Sequence, residues 1–270
     1  MRVIAALTAC LFFAAPAMAG MTPAHPVASQ SAPGWPIDVM NEQIDQTNFL
    51  VNGNCSGTLI DLANRYVLTA SHCVGAQYKT VETEEIGDDG TVTKKQVRVV
   101  IPGDVRQLVF AGPHIVQEAV YRTKLVAVDK DHDLALLQIL SETIPNTIAS
   151  KIACDDPVRG SMAYAVGNPA GVLYSSVTVG IVSSIQRDYG MVGATALGGG
   201  PVGDSPLMQI SAGIIGGNSG GSVYNENGEL IGVPVLGSKA NEIIGFAVPL
   251  DEIKAFLKAH NAGHLFAACR

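Results

Sequence analysis

The hydrophobic and polar positions along the chain predict short strands in two series. Between about residues 45 and 150, turn residues separate runs such as GTLID, YVLTA, VRQLVFA and LALLQIL. A second series from about residue 155 includes SMAYAVG, LMQISAG and IIGFAVP. Runs of this length, rich in β-branched residues and bounded by glycine or asparagine, are typical of strands. Asn227-Gly228, between two such runs, is the strongest hairpin signal in the chain.

One helix is predicted, and it lies near the end of the sequence. The segment LDEIKAFLKAHNAG follows Pro249 and has an apolar face at helical spacing. The residues on that face are Leu250, Ile253, Phe256 and Leu257. Asp251 and Glu252 fall in the first turn, where they complement the helix dipole.

These elements predict an all-β fold of two packed six-stranded antiparallel β-barrels with a C-terminal helix. Two runs of about six strands, without alternation of strand and helix, exclude a parallel α/β sheet. We place the N-terminal barrel at residues 41–150 and the C-terminal barrel with its helix at 151–270. Residues 20–40, rich in Pro, Ala and Ser, are expected to be a linker or arm. The glycine-rich segment 190–206 is expected to be a loop without strands.

Charge and the N-terminus narrow the choice of partners and location. The 270-residue chain has a net charge of −7 without a long block of one sign, which argues against a nucleic-acid partner. Arg2, an apolar run and the small-residue pattern ending at Ala19 predict a signal peptide over residues 1–19. This segment is too short to span a membrane, so we expect no stable membrane anchor. The protein is therefore expected to be exported, periplasmic or secreted, after cleavage near Ala19.

The cysteines are consistent with an exported protein. Removal of the signal peptide also removes Cys10 and leaves four others: Cys55, Cys73, Cys154 and Cys269. Two disulfides are the expected outcome, with three possible connectivities. No CxxC or HxxxH spacing supports a zinc site, and we expect neither a metal nor a cofactor.

The segment IIGGNSGGSVYN contains a candidate nucleophile, Ser219. A serine hydroxyl reacts poorly at neutral pH unless a histidine accepts its proton and a carboxylate orients that histidine. His72 in YVLTASHCV ends one strand-like run, and Asp133 in DHDLALLQI opens another. The chain order His, Asp, Ser, with the first two in the first series and the third in the second, predicts a catalytic triad. A flexible glycine-rich loop is the alternative interpretation of Ser219 alone.

These motifs resemble those of the chymotrypsin-like serine proteases, in particular the bacterial Deg/HtrA branch. TASHC resembles the histidine motif, DLALLQI the aspartate motif and GNSGG the serine motif. VGNPAGVLYSSVTVGIVSS, NGELIGV and IGFAVP resemble further segments of that branch, and the resemblance spans about residues 45–258. It implies a serine endopeptidase that acts on protein or peptide substrates through an acyl-enzyme on Ser219, with His72 as the base. Asp133, rather than Asp131 or His132, matches the motif because it directly precedes the apolar strand.

The resemblance also implies an oxyanion hole and a substrate pocket. The backbone N–H groups of Gly217 and Ser219 are the implied oxyanion donors. The position six residues before Ser219 is Gly213, so the acidic pocket floor that selects Arg or Lys is missing. The implied pocket residues are Gly213, Ile214, Pro234, Val235 and Leu236. They favour small or medium aliphatic P1 residues, although packing of the barrel is an equally good explanation of Ile214.

Further expectations follow from the same resemblance. Cys55 and Cys73 match the disulfide that flanks the histidine in many chymotrypsin-like enzymes, which leaves Cys154 to pair with Cys269. Many Deg/HtrA proteins continue into PDZ domains, whereas this sequence ends at Arg270, so we expect no PDZ domain. An alternative hypothesis is a protease-like binding or chaperone scaffold with little turnover, against which the intact triad argues. The sequence does not fix an oligomeric state.

Overall fold

A computed structural model describes most of the chain after its first 33 residues. The described residues are 34–75, 77–86, 92–101, 103–111, 114–188, 190, 196–197, 205–238 and 243–269. The predicted signal peptide, residues 20–33 of the predicted arm and most of the glycine-rich segment lie outside them. Within the described residues, no helix has the length and hydropathy needed to cross a membrane.

The first series of strands closes into a six-stranded antiparallel barrel. Its strands are β1 (Asn48–Val51), β2 (Cys55–Asp61), β3 (Tyr66–Thr69), β6 (Asp104–Ala111), β7 (His114–Asp129) and β8 (Leu134–Ile139). Around the barrel they follow the order β1-β2-β3-β8-β7-β6. Two further strands, β4 (Gln77–Ile86) and β5 (Val92–Ile101), pair only with each other, and Lys94 bonds to Glu82 across them at 2.8 Å. Residues 87–91, between these two strands, lie outside the described residues.

The second series closes into another six-stranded ring. Its strands are β9 (Met162–Gly167), β10 (Ser176–Asp188), β12 (Pro206–Ile210), β13 (Ser222–Tyr224), β14 (Leu230–Ser238) and β15 (Gly245–Pro249). The order is β14-β13-β9-β10-β12-β15, and pairing of β14 with β15 closes the ring. The predicted fold of two packed antiparallel barrels is therefore confirmed. The two-residue strand β11 (Ala196–Leu197) pairs with β14, so the prediction of a strand-free glycine-rich segment was wrong at that point.

The predicted hairpin at Asn227-Gly228 joins β13 and β14. The Asn225 side-chain oxygen accepts the backbone N–H groups of Asn227 and Glu229, both at 2.9 Å. Gly228 has φ +73°, a conformation that costs glycine nothing and a residue with a Cβ about 1 kcal/mol or more. The turn therefore starts β14, all nine residues of which are buried.

In the described part of the chain, two α-helices of ten or more residues flank the barrels, and only the second was predicted. Helix α2 (Leu250–Ala259) buries the four predicted apolar residues. Helix α1 (Ile37–Thr47) begins inside the segment expected to be a linker or arm, and it buries Met40, Ile44 and Thr47. Trp35 precedes α1 and packs edge-on against Tyr224 of β13, with ring centroids 5.1 Å apart. Of the apolar side chains on α1, only Met40 and Ile44 are buried, so the buried face is too weak a periodic pattern for the sequence to predict the helix.

Candidate active site

His72 is held at the junction of β3 and a single 3₁₀ turn. β3 ends at Thr69, and the turn Ser71–Cys73 follows directly. The Cys55–Cys73 disulfide ties this turn to the start of β2. The His72 side chain is 27% exposed, so it borders solvent while its backbone is fixed.

Asp133 lies below His72 and is completely buried. Its Oδ2 accepts a hydrogen bond from His72 Nδ1 at 2.7 Å. Its Oδ1 accepts from the Ser71 hydroxyl at 2.8 Å and from the His72 backbone N–H at 2.9 Å. Because a carboxylate only accepts hydrogen bonds, the proton of neutral His72 sits on Nδ1 and leaves the lone pair of Nε2 available as a base. His72 and Asp133 are thus brought together as the sequence predicts.

Ser219 lies on the loop before β13, with its backbone against the first barrel. The Ser56 N–H donates to the Ser219 carbonyl at 2.8 Å, and Cys73 Sγ lies 3.6 Å from the same oxygen. The Ser219 hydroxyl points to the Val235 carbonyl at 3.5 Å, and among the described residues it makes no hydrogen bond to His72. Rotation about the Ser219 Cα–Cβ bond, between ordinary staggered rotamers, is what redirects this hydroxyl.

The glycines before Ser219 shape a pair of free amide donors. Gly217 has φ +102°, and a Cβ there would collide with the Asn168 carbonyl oxygen and the Ala170 nitrogen. The Gly216 carbonyl accepts from the Ala170 N–H at 2.6 Å, which turns the Gly217 N–H of the same planar peptide to the opposite side. Neither the Gly217 nor the Ser219 N–H has a hydrogen-bond partner among the described residues. Two unpaired donors on one tight loop can bind an anion.

Two buried polar residues that the sequence analysis did not single out support this loop. Ser56 Oγ donates to the Gly217 carbonyl at 2.7 Å and accepts from the Asn168 backbone N–H at 2.7 Å. The Asn168 amide also donates to the Phe49 carbonyl at 3.0 Å, so it ties the second barrel to β1. Ser56 lies in NCSGT at the start of β2, and Asn168 follows the apolar end of β9 in AVGNP, but neither segment carries a signal that marks these residues as supports of the loop.

The predicted pocket residues lie together, but most are packed inside the second barrel. Ile214 is 3% exposed, Val235 0% and Leu236 1%. A Cβ at Gly245 would collide with the Ile214 side chain, and a Cβ at Gly237 with its carbonyl. Ile214 therefore fills the space that these two glycines leave open, and it acts as a core residue in this structure.

Gly213 and Pro234 take part in this packing through their carbonyl groups. The Gly213 carbonyl accepts from the Thr178 hydroxyl at 2.9 Å. The Pro234 carbonyl accepts from the Gly220 N–H at 2.8 Å, which fixes the loop just after Ser219. Both residues thus hold the backbone around the predicted pocket.

The cysteines form two disulfides, Cys55–Cys73 and Cys154–Cys269, the second of which closes a loop of 115 residues. Among the described residues, one group of His, Cys or acidic side chains is close enough to hold a metal ion, namely Cys55, His72 and Cys73. Both sulfurs of that group are bonded to each other, and a disulfide offers no thiolate to a metal. The group therefore does not fit a resident metal ion.

Comparisons with known proteins find similarity to serine endoproteases. The chain is 34% identical over 213 residues to the periplasmic serine endoprotease DegP of Escherichia coli strain K12, covering 77% of this chain and 35% of DegP. It is 29% identical over 212 residues to the serine endoprotease DegS of Haemophilus influenzae, covering 73% of this chain and 59% of DegS. The chain thus spans about a third to three fifths of the length of these relatives.

Solved structures share the fold. The crystal structure of the serine endoprotease from Yersinia pestis has a TM-score of 0.55 at 22% identity, covering 82% of this chain and 66% of that one. Residues 55–233, which include His72, Asp133 and Ser219, match the family described as trypsin-like peptidase domain. The chain therefore belongs to the trypsin-like peptidase domain family.

Proposed function

We propose that the protein is an exported serine endopeptidase that hydrolyses peptide bonds through an acyl-enzyme on Ser219. The observation that carries the proposal is the 2.7 Å hydrogen bond between His72 Nδ1 and the buried Asp133 carboxylate. This bond fixes the imidazole tautomer that accepts a proton at Nε2. The similarity to DegP and DegS supports the same activity.

The proposed reaction uses the groups of the site in two stages. Ser219 Oγ attacks the peptide carbonyl carbon as its proton passes to His72, and the negative oxygen is stabilised by the Gly217 and Ser219 N–H groups. Collapse of the tetrahedral intermediate expels the amine, which takes the proton from His72, and water then hydrolyses the ester by the same route. Each oxyanion donor of this kind is worth about 10²–10³ in rate.

Labelling with a fluorophosphonate tests the nucleophile directly. We expect one covalent label per chain in the purified mature protein, and hydrolysis of an unfolded protein substrate at neutral pH. Ser219→Ala should abolish both. The matched control is Ser222→Ala, a buried serine three residues further along in β13, which should keep the label. A well-folded protein that takes no label would contradict the proposal.

A second candidate function is a protease-like scaffold that binds unfolded or partner proteins with little turnover. The observation that favours it is the Ser219 hydroxyl, which faces the Val235 carbonyl rather than His72. Under this hypothesis, the protein and Ser219→Ala bind an unfolded polypeptide equally well, and neither the fluorophosphonate label nor product accumulates. The labelling experiment therefore separates the two functions.

We further propose that the enzyme prefers small or medium aliphatic P1 residues. The support is the packing of Ile214 against Gly245, which leaves little room for a large substrate side chain among the predicted pocket residues. Profiling with a peptide library should show this preference, and Ile214→Ala should shift it toward larger residues. Ile215→Ala, at a neighbour that is 47% exposed, is the control and should leave the profile unchanged.

Export and the maturation site belong to the same proposal. The support is the N-terminal pattern of the sequence and the periplasmic location in the name of DegP. Expression of the full chain in a bacterium, fractionation and intact mass measurement should find the mature form outside the cytoplasm. Its first residue should lie at or next to Gly20. A cytoplasmic, uncleaved chain would contradict this part.

A further inference from the structure

The turn that carries Asp133 is held in a conformation that a non-glycine residue adopts only under constraint. Asp133 has φ +55°, in the left-handed region. The Asp129 side chain accepts from the backbone N–H groups of Asp131 at 3.0 Å and His132 at 3.1 Å, which closes the turn between β7 and β8. The orientation of the buried carboxylate thus depends on the contacts of this turn.

His132, the residue directly before Asp133, joins this turn to helix α2. Its Nδ1 lies 2.8 Å from Asp129 Oδ2, and its Nε2 lies 3.3 Å from Glu252 Oε2 in the first turn of α2. Both ring nitrogens therefore face carboxylate oxygens. A neutral imidazole donates from one nitrogen only, whereas the protonated ring donates from both. The ion pair between the ring and Glu252 on α2 accordingly requires the charged form.

The groups around His132 stabilise that charge. Asp129 at the end of β7, Asp131 in the turn and Glu252 on α2 are the charged groups that act on it from the elements packed around the ring. Burial lowers the pKa of His132, but the hydrogen bond and charge of Asp129, with the charges of Glu252 and Asp131, raise it overall. The Ser205 hydroxyl also donates to the Asp131 carbonyl at 2.7 Å, so a second contact from beyond the first barrel holds the same turn.

We propose that His132 is a positioning residue that acts through Asp133: in its protonated form it ties the β7–β8 turn to α2, and its deprotonation loosens the turn and lowers turnover at alkaline pH. The inference rests on the proposed function, because the orientation of Asp133 affects turnover only if His72 acts as a base.

The stabilising contact of His132 depends on pH. Because the folded-state pKa of His132 is raised, its stabilising contact is complete below the unfolded-state pKa of about 6.5 and is lost as the pH rises through the folded value. The positioning role of His132 therefore predicts that kcat falls on the alkaline side of its plot against pH, as His132 loses its proton.

The experiment measures kcat and KM against pH for the parent enzyme and two variants, and follows the His132 ring proton by NMR titration. Glu252→Gln removes one carboxylate partner but leaves the Asp129 contact, so the alkaline limb and the His132 pKa should move together to lower pH. His132→Arg keeps a positive charge at every pH and should abolish the alkaline limb. At a pH below the pKa of His132, we expect His132→Gln to lower kcat by about tenfold with little change in KM. This loss is a part of the roughly 10²–10⁴ that general base catalysis contributes.

The control is His260→Gln, at the end of α2, where the ring bonds only to the Phe256 carbonyl among the described residues. This variant should leave the alkaline limb of kcat against pH unchanged. An active parent enzyme whose alkaline limb is identical in Glu252→Gln and His132→Arg would overturn the role of His132 and leave the proposed function standing. Absence of turnover and of fluorophosphonate labelling at every pH would overturn both. If His132→Gln does not fold, the Glu252→Gln result decides.

Discussion

Replacement of Ser56 by alanine is the sharpest test of how the first barrel supports the Ser219 loop. Ser56 is fully buried, and its hydroxyl joins the Gly217 carbonyl to the Asn168 backbone N–H, each at 2.7 Å. Alanine leaves both groups buried without this partner. The void left by one oxygen atom is too small to admit a water molecule that could bond to both.

The magnitude follows from the number of groups left unpaired. A buried polar group without a hydrogen bond costs about 1–3 kcal/mol. The Asn168 side-chain amide also loses a 3.1 Å contact to Ser56, but it keeps the Phe49 carbonyl. With two groups affected and some relaxation of the loop, we expect the free energy of unfolding to fall by about 2–4 kcal/mol. Without Ser56, the Gly217 carbonyl loses its contact, and the loop that presents the Gly217 N–H is held less firmly. We therefore expect kcat to fall by at least tenfold, toward the loss of roughly 10²–10³ that removal of an oxyanion donor causes.

Thr58→Val is the matched control, two residues further along the same strand. Thr58 is 1% exposed, and its hydroxyl has no hydrogen-bond partner among the described residues. Valine has the same shape and removes only this unpaired hydroxyl, so stability should be unchanged or should rise by about 1 kcal/mol. Urea unfolding and steady-state hydrolysis of a peptide amide measure both effects. Equal losses of stability in the two variants, or an unchanged kcat in Ser56→Ala, would refute the reasoning.

Three further predictions follow from the disulfides, the oxyanion glycine and a buried carboxylate. Replacing Cys154 and Cys269 together by serine should lower the free energy of unfolding by up to about 5 kcal/mol in the chain-entropy model. The same replacement of Cys55 and Cys73, which close a shorter loop, should lower it by about 3 kcal/mol. Urea unfolding of both double variants checks this order. Gly217→Ala should lower kcat by about 10² without a matching rise in KM, because the added Cβ collides with backbone atoms and the loop must move; unchanged kinetics would contradict the assigned donor. Burial raises the pKa of Asp61, but hydrogen bonds from its neighbours, Asn64 and His264, lower it overall. The stabilising contribution of Asp61 is thus present above its unfolded-state pKa of about 3.9 and is lost as the pH falls through the folded value. We therefore expect Asp61→Asn to make stability fall less steeply toward acid pH. Denaturant midpoints measured from about pH 2 to 6 check this.

The architecture was predictable because most barrel strands carry their own local signal. The hairpin at Asn227-Gly228 and the apolar face of α2 are patterns that depend on neighbouring residues only. Helix α1 was missed because two buried apolar side chains give it little periodicity. Its position is determined by distant contacts, such as the donation from Gln43 to the Gly228 carbonyl at 2.7 Å. A contact of this kind leaves no trace in a local window of sequence.

The sequence predicts which residues form the candidate site, but it does not predict their detailed geometry. One strand ends just before His72 and another begins just after Asp133, and both are local signals. The structure brings these two side chains into contact. The position of Ile214 between two glycines could not be predicted, because it depends on strands that are far apart in the sequence. The sequence also does not predict the rotamer of Ser219, whose hydroxyl faces the Val235 carbonyl, or the ion pair between His132 and Glu252 of α2.

The candidate site depends on the junction of the barrels more than on either barrel alone. His72 and Asp133 come from the first barrel and Ser219 from the loop before β13, yet Ser56 of the first barrel holds the Ser219 carbonyl at 2.8 Å and the Gly217 carbonyl at 2.7 Å. A relative shift of about 1 Å would stretch both bonds beyond the 3.2 Å usual for proteins. It would also displace the nucleophile from its base by an amount that costs about 10² in rate. Substitutions that move the junction should therefore lower activity before they unfold either barrel.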